Sequence, residues 1–262
     1  MSETAVLCAA NDGAMWITLN RPAAMNSITP AMVQGIEAAL DQAQSDPDVR
    51  AVVLTGTGRA FCAGADLKYV REQTQGDESA NAAFLQTVLR LMNRLETFPK
   101  PVIAAINGLA LAGGLELVLC CDLVIAARSA KIGDAHANFG LLPGGGSSVR
   151  LPRKIGPTRA KYLLFTGEFV PAEQLVEAGL VNEVVDDTDL MPAAKRLVAK
   201  LMPKSSLVLR RMKALVDDGL QQPSETALRL ELLASEVHSH SHDMREGLAA
   251  FEEKRKPQFK GC

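Results

Sequence analysis

The sequence has few cysteines, no excess of charge of one sign and no long apolar run. Its five cysteines include no CxxC pair, which argues for free thiols in a reducing compartment and against a disulfide framework or a zinc site. The formal net charge of −2 gives no general attraction to nucleic acid or anionic lipid. No uncharged apolar stretch approaches the ~20 residues of a membrane span, and no basic-then-apolar leader opens the chain. We therefore expect a soluble, cytoplasmic protein without a metal site.

Two nucleotide-binding motifs are missing as well. The glycine-rich segment 55–67 leaves a predicted strand, as phosphate-binding loops do, but it contains neither GxxxxGK(S/T) nor GxGxxG. Binding of a nucleotide phosphate by this loop is therefore only weakly indicated.

The composition is that of an ordinary globular protein, with 47% hydrophobic and 22% charged residues among 262. Strand-like and helical patterns alternate, and every periodic segment after Leu190 is helical. We predict an α/β fold with a core over residues 1–200 and a helical region over 201–262. The predicted strands cover 5–10, 14–19, 51–54, 102–106, 122–127, 130–133 and 180–185. The predicted helices include 30–44, 81–96, 115–119, 157–166 and 171–178, with a polar, mobile surface segment at 70–81.

One stretch combines a buried strand, a glycine turn and an acidic residue. The apolar run 102–106 predicts a strand, and Gly113 and Gly114 stand where the following helix begins. The first N–H groups of a helix lack intrahelical partners and lie at the positive end of its dipole, so they can hold a carbonyl oxygen that becomes negative. Glu116 follows Gly113 by about one helical turn on the same face. The stretch suits proton transfer next to a carbonyl group.

Five segments resemble the crotonase (enoyl-CoA hydratase/isomerase) superfamily. They are residues 60–67, 107–117, 142–146, 164–181 and 246–257. The resemblance runs in register from about Ala14 to Phe259, and it is specific for the superfamily but not for one reaction, because this fold hosts several chemistries. It implies a crotonase-like spiral of ββα units with a C-terminal helical layer used for trimer formation, often as a dimer of trimers.

The resemblance also implies an acyl-CoA substrate and an oxyanion hole. By position, the backbone N–H groups of Ala65 and Gly113 would bind the thioester oxygen, and both lie in glycine-containing turns. Coenzyme A enters as part of the substrate, and no metal or redox cofactor is implied. The implied CoA contacts are Ala23, Met25, Ala63, Gly64, Asp66, Leu67, Phe251 and Lys254.

The chain departs from the family at one of two catalytic carboxylates. Glu116 matches the first, whereas the second, seven residues before Pro143, is replaced by His136. A Glu/His pair still offers a base and an acid near neutral pH, so we predict Glu116 and His136 as the catalytic residues. Asp134 either orients His136 or caps a turn, and we favour the cap.

The favoured activity is hydration of a 2-enoyl-CoA, with other enolate chemistry as the alternative: isomerisation, thioester or C–C hydrolysis, or decarboxylation. A branch resembling a cyclic β-diketone hydrolase pairs a histidine near this place with an aspartate in the glycine-rich turn. Here Gly145 occupies that position, and we do not favour this reading.

Other readings involve no catalysis. The missing second glutamate motivates a non-catalytic acyl-CoA binder, and RNA binding is disfavoured because no helix is dense in Lys and Arg.

Asp66 is expected to fix its loop or cap a helix. His238, His240 and His242 alternate along the chain, a spacing that does not share one helical face, so we interpret them as solvated surface.

Overall fold

The computed structural model describes residues 4–74 and 78–262, which form ten strands and eleven α-helices. The strands are β1 Val6–Asn11, β2 Ala14–Leu19, β3 Ala51–Gly56, β4 Ala60–Cys62, β5 Val102–Ile106, β6 Leu109–Leu111, β7 Leu123–Ala127, β8 Lys131–Gly133, β9 Val170–Pro171 and β10 Glu183–Val185. The helices are α1 Pro30–Ser45, α2 Leu67–Thr74, α3 Glu78–Glu96, α4 Gly113–Leu119, α5 Ser147–Ile155, α6 Pro157–Thr166, α7 Glu173–Val176, α8 Leu190–Leu201, α9 Ser206–Gly219, α10 Ser224–Ser239 and α11 His242–Glu252.

The strands form two sheets that the chain visits in turn. The larger sheet has the order β1-β2-β3-β5-β7-β10 and the smaller one β4-β6-β8-β9. After each of β3, β5 and β7 the chain adds a short strand to the small sheet and then enters a helix. Strands β4, β6 and β8 are parallel, so their carboxyl ends point the same way. This repeat is the predicted spiral of ββα units, and the α/β fold class is confirmed.

Local sequence signals explain the first elements. Asp12 and Gly13 both have positive φ, 49° and 77°, as a two-residue hairpin turn of type I′ requires, and they join β1 to the antiparallel β2. The Thr29 side chain accepts a hydrogen bond from the N–H of Met32 at 3.3 Å and caps α1, whose first residue is Pro30. The hairpin and the helix start agree with the prediction.

Several predicted boundaries are wrong. Helix α3 starts at Glu78, and of the predicted mobile segment residues 70–74 and 78–81 are helical, while 75–77 lie outside the described residues. The predicted helix 171–178 opens with Pro171, the last residue of β9, and its helical part is only α7. The predicted strand 180–185 shortens to β10. Elements of two to four residues are too short for a periodic pattern to reveal.

Burial separates the spiral from the C-terminal helices. All residues of β5 and nearly all of β3 are buried, as expected for parallel strands covered on both faces. Helix α8 packs on β5 and β7. Beyond α8, the buried residues in the described chain are Ser205, Leu207, Asp243 and Ala250. The division at residue 200 and the role of the helical region in trimer formation stay predictions. In the described ranges, no helix is long and apolar enough to cross a bilayer.

Candidate active site

Three loops meet at one edge of the small sheet. They follow the parallel neighbours β4, β6 and β8, and they carry Ala65, Gly113 and His136 respectively. The carboxyl edge of parallel strands is where α/β proteins commonly bind ligands. The spiral therefore brings together residues that lie more than 20 positions apart in the chain.

The two predicted oxyanion donors are neighbours. A Cβ placed on Gly64 would lie 3.1 Å from the Gly113 nitrogen, and one placed on Gly113 would lie 3.4 Å from the Ala65 nitrogen. Within the described chain, neither the N–H of Ala65 nor that of Gly113 donates a hydrogen bond. Gly113 is the first residue of α4, so its N–H has no intrahelical acceptor. Two unpaired donors in one place are what an oxyanion hole requires, and the oxyanion role of Ala65 and Gly113 stays a prediction.

The backbone around these donors is held firmly. Ala112, directly before Gly113, has φ 50° and ψ −116°, a strained conformation for a residue with a Cβ. On the other side, Ile28 donates its N–H to Gly64 O at 2.8 Å and accepts from the Asp66 N–H at 3.0 Å. These bonds use the peptide groups on either side of Ala65 and leave its own N–H available.

Glu116 projects from α4 into the start of α5. Its Oε1 accepts the N–H groups of Gly145 at 2.8 Å and Ser147 at 3.0 Å, and the residue is 2% exposed. Its Oε2 accepts no hydrogen bond from any residue in the described ranges. Burial raises the pKa of Glu116 above its ordinary value, although the Ser147 N–H, the charge of His136 and the Gly145 N–H oppose that rise. One carboxylate oxygen is thus anchored and the other remains available.

Gly145 leaves room for that second oxygen. A Cβ at this position would lie 2.5 Å from Oε2 and 2.9 Å from Cδ of Glu116. No side chain larger than hydrogen fits unless the carboxylate moves. An aspartate at 145, as in the β-diketone-cleaving arrangement, would displace Glu116.

His136 is held by Asp134. The His136 Nδ1 lies 2.9 Å from Asp134 Oδ1, which also accepts the His136 backbone N–H at 3.2 Å. Asp134 therefore both closes the turn and orients the ring, so our preference for a cap alone was wrong. Spacing in the sequence could not show this, because the ring direction depends on Ala135, whose φ is 62°. With Nδ1 bound to Asp134, the ring presents Nε2 as the atom that can exchange a proton.

The charges of the three acidic and basic groups are coupled. Burial by itself lowers the pKa of His136, but the hydrogen bond and charge of Asp134, together with the charge of Glu116, outweigh burial and raise it. Asp134 is 1% exposed as a side chain, and its Oδ2 has no partner in the described chain. A buried carboxylate with so few donors favours a cationic imidazole beside it.

Arg21, Asn26 and Asp66 brace the loop that carries Ala65. Arg21 contacts Asp66 Oδ2 at 3.0 Å and the Ser27 carbonyl at 2.7 Å. Burial alone would raise the pKa of Asp66, but the hydrogen bond from Arg21 and other donors hold it below its ordinary value. Asn26, buried with φ 54°, donates to the carbonyls of Thr57 and Ala60. Sequence reasoning missed Arg21 and Asn26, since Asp66 lies 45 residues from Arg21, and Thr57 and Ala60 lie 31 and 34 residues from Asn26. The Arg-Pro pair and an Asn in a loop were the available signals.

The predicted CoA contacts fall into two groups. Ala63, Gly64, Asp66 and Leu67 follow β4, and the early loop joins them because Ala63 donates its N–H to Met25 O at 3.0 Å. Ala23 is exposed in a short 3₁₀ helix of that loop, and Asp66 caps α2 through the Tyr69 N–H. Phe251 lies in the last turn of α11 and is 86% exposed, and Lys254 follows just beyond the end of the helix. Within the described residues, no hydrogen bond joins α11 to the loop of residues 63–67. Their contact with CoA stays a prediction.

Cys62 and the histidines of the C-terminal helices are also residues of reactive types, and their surroundings do not indicate a role in chemistry. Cys62 is buried, and burial raises the pKa of its thiol to about 12, so it remains a neutral thiol near the site. His238 lies 2.8 Å from Arg211 and His242 lies 3.3 Å from Asp243, in each case through Nδ1. Over the ranges that the structure describes, no three His, Cys, Asp or Glu side chains are grouped so as to hold a metal ion.

Comparison with known proteins gives the class. A sequence model of the family described as enoyl-CoA hydratase/isomerase matches residues 9–262. The crotonyl-CoA hydratase of Syntrophomonas wolfei is 38% identical over 242 residues, 92% of each chain. The crystal structure of an enoyl-CoA hydratase from Bacillus anthracis superposes with a TM-score of 0.92 at 38% identity, covering 98% of this chain and 100% of that one. An enoyl-CoA hydratase from Polaromonas sp. JS666 gives 0.94 at 31% identity, covering 97% and 99%.

Fold and sequence together define an enzyme of the crotonase superfamily. This chain belongs to the enoyl-CoA hydratase/isomerase family. The predicted resemblance is thereby confirmed, whereas the roles of individual site residues are argued from geometry.

Proposed function

We propose that this protein hydrates 2-enoyl-CoA thioesters, with Glu116 and His136 as the proton-transferring pair. The observation that carries the proposal is the available Oε2 of Glu116, which lies on the same helix as the unpaired Gly113 N–H, with His136 oriented by Asp134. The names of its relatives agree, since one is a crotonyl-CoA hydratase and two solved structures are enoyl-CoA hydratases.

The backbone donors would act on the thioester. When its oxygen lies between the N–H groups of Ala65 and Gly113, addition at C3 moves the double-bond electrons onto that oxygen. The resulting enolate is stabilised most where its charge is largest, which is how an oxyanion hole lowers a barrier. Because Ala112 and the Ile28 contacts hold both peptide groups in place, little reorganisation is needed at that moment.

The two side chains would move the protons. Glu116, as the carboxylate, takes a proton from water through Oε2 while the water oxygen bonds to C3. His136, as the imidazolium, gives a proton from Nε2 to C2 as the enolate collapses. The product is a 3-hydroxyacyl-CoA, and a proton passing back from Glu116 to His136 restores the enzyme. Hydration involves no net oxidation, so the proposal requires no redox cofactor.

A histidine can replace the second glutamate because of its environment. The charge of Asp134 and that of Glu116 favour the protonated ring. His136 can therefore be the acid while Glu116 is the base, and the two roles are separated without two carboxylates in contact. A non-catalytic binder would not need this arrangement, since binding of a thioester depends on neither Nε2 nor Oε2.

The proposal is tested with a panel of 2-enoyl-CoA thioesters, followed by loss of the conjugated-enoyl absorbance. We expect the wild type to hydrate them, His136→Ala to lose on the order of 10²-fold or more in kcat, and His136→Glu to retain hydration. The same assay with a 3-enoyl-CoA, whose double bond is not conjugated with the thioester, reports isomerisation as a gain in absorbance. A wild type that binds acyl-CoA but turns over none of the panel would contradict the proposal in favour of the non-catalytic binder. Hydration gained only in His136→Glu would instead show a site retuned to other enolate chemistry.

Replacing Asp134 with asparagine is expected to move the alkaline limb of the kcat/KM profile to lower pH. The limb reports loss of the His136 proton, and the carboxylate of Asp134 is what raises the pKa of His136 against burial. Removing that charge lowers this pKa, so activity is lost at a lower pH as pH rises. The His136→Ala variant is the control, since it has no such limb. An unchanged limb in Asp134→Asn would exclude His136 as the titrating acid.

We also propose that α9, α10 and α11 form subunit contacts in a homotrimer or a dimer of trimers. Val216 on α9, Leu232 on α10 and Phe251 on α11 are 61%, 71% and 86% exposed, and apolar surface of this kind commonly marks an interface. A mass in solution of three or six chains of 28.0 kDa tests this.

A further inference from the structure

Arg150 is an inward-facing cation behind the glycine-rich turn. It lies on α5, one turn after Gly146, and its side chain is only 10% exposed. Its Nη1 donates to the Gly145 carbonyl at 2.7 Å, and its Nε and Nη2 lie 3.0 and 2.7 Å from Glu96 Oε2. Nη2 also reaches Asn93 Oδ1 at 2.6 Å. The guanidinium thus ties the turn to the end of α3.

The tie acts on the peptide groups that hold Glu116. Gly145 presents its carbonyl to Arg150 and its N–H to Glu116 Oε1, so both sides of this residue are bound. Gly146 leaves the space that the guanidinium occupies, because a Cβ there would lie 2.2 Å from Nη1. Within the described chain, Arg150 is the only side chain that donates to the carbonyl of Gly145.

We propose that Arg150 is a positioning residue for the general base, holding the turn of residues 144–147 so that Glu116 Oε1 stays anchored and Oε2 stays aimed at the reacting water. This inference rests on the proposed function for its kinetic consequences. The positive charge of Arg150 also favours the anchored, ionised form of Glu116, since the guanidinium and the Glu116 carboxylate attract each other. Glu96 serves as the anchor that keeps the guanidinium in place.

A merely structural role would affect stability alone, so the test needs other readouts. The variants are Arg150→Met, which keeps an unbranched apolar stem but removes the guanidinium with its charge and donors, and Arg150→Lys, which keeps the charge as a single point donor. Arg153→Gln is the matched control, because Arg153 is exposed on the same helix and, among the residues that the structure describes, donates only to Val149 O. Each is measured for kcat, KM and the pH profile with a 2-butenoyl-CoA, with thermal unfolding alongside.

We expect Arg150→Met to lose on the order of 10²-fold in kcat, since a shift of about 1 Å in a catalytic group has effects of that size. The KM should stay within about threefold, because substrate binding does not use Arg150, and the acid limb should move to higher pH. Arg150→Lys should lose less kcat than Arg150→Met, because it keeps the charge but not the guanidinium geometry, and Arg153→Gln should match the wild type. If Arg150→Met and Arg150→Lys lower the thermal stability but change neither kcat nor the acid limb of the pH profile, the inference is overturned.

One readout does not depend on turnover. Difference NMR of ¹³C-labelled glutamate carboxyls, with Glu116→Gln as the reference, follows the titration of Glu116 itself. An upward shift in Arg150→Met supports the positioning role even if the wild type hydrates no tested thioester, in which case only the proposed function fails. An unshifted titration in an active enzyme overturns the inference and leaves the proposed function intact.

Discussion

Replacing Glu116 with glutamine is expected to lower kcat for hydration about 10³-fold, within the range for loss of a general acid or base. The amide oxygen can still accept the N–H groups of Gly145 and Ser147 in place of Oε1. The amide nitrogen that replaces Oε2 cannot take a proton from water, so the function of the general base is lost. The KM should change little, because the thioester oxygen is bound by backbone groups rather than by this side chain.

Glutamine is the sharper substitution because alanine changes two things at once. Glu116→Ala would leave the N–H groups of Gly145 and Ser147 without their buried acceptor, and unpaired buried groups cost about 1–3 kcal/mol each. Thermal unfolding should therefore separate the two variants, with Glu116→Gln close to the wild type. A kcat within about tenfold of the wild type in Glu116→Gln would show that another group activates the water.

The acid limb of the wild-type pH profile should report the protonation of Glu116. Burial raises the pKa of Glu116, so the reactive carboxylate is lost as pH falls through that raised value. Activity therefore falls on the acid side, at a pH above that of an exposed glutamate. The Glu116→Gln variant should lack this limb.

Replacing Gly145 with alanine is expected to lower kcat on the order of 10²-fold, as a small displacement of a catalytic group does. The new Cβ would meet Oε2 at 2.5 Å and Cδ at 2.9 Å, so the carboxylate must move away from its place. The cause is steric rather than conformational, since Gly145 is absent from the positive-φ residues. A crystal structure of the variant should show a rotated Glu116 side chain.

Gly144→Ala is the matched control for this substitution. Its Cβ would meet the Leu85 side chain at 2.9 Å, and the end of a partly exposed leucine can shift at small cost. The control should keep kcat within a few-fold, because Glu116 is not touched. Equal losses in both variants would mean that the turn tolerates no alanine for reasons unrelated to Glu116.

Local patterns predicted much of the fold. The Asn-Asp-Gly turn, the Thr29-Pro30 helix start and the apolar strands were readable because each depends on neighbours within a few residues. Glu116 was also readable, since an acid inside an apolar helix is costly unless it has a use. His136 was found through its spacing from Pro143 in the family pattern.

The sequence, read together with its resemblance to the crotonase superfamily, determined the spiral, the glycines at the start of α4 and the identity of the two proton-transferring candidates. Only the tertiary structure decided how they work: which oxygen of Glu116 is anchored, that Asp134 orients His136, and that Arg150 braces the turn. The physical reason is distance along the chain. Glu116 meets its backbone donors 29 and 31 residues away, and Arg150 meets Glu96 after 54, so these contacts depend on how whole turns of the spiral stack, which no local pattern records.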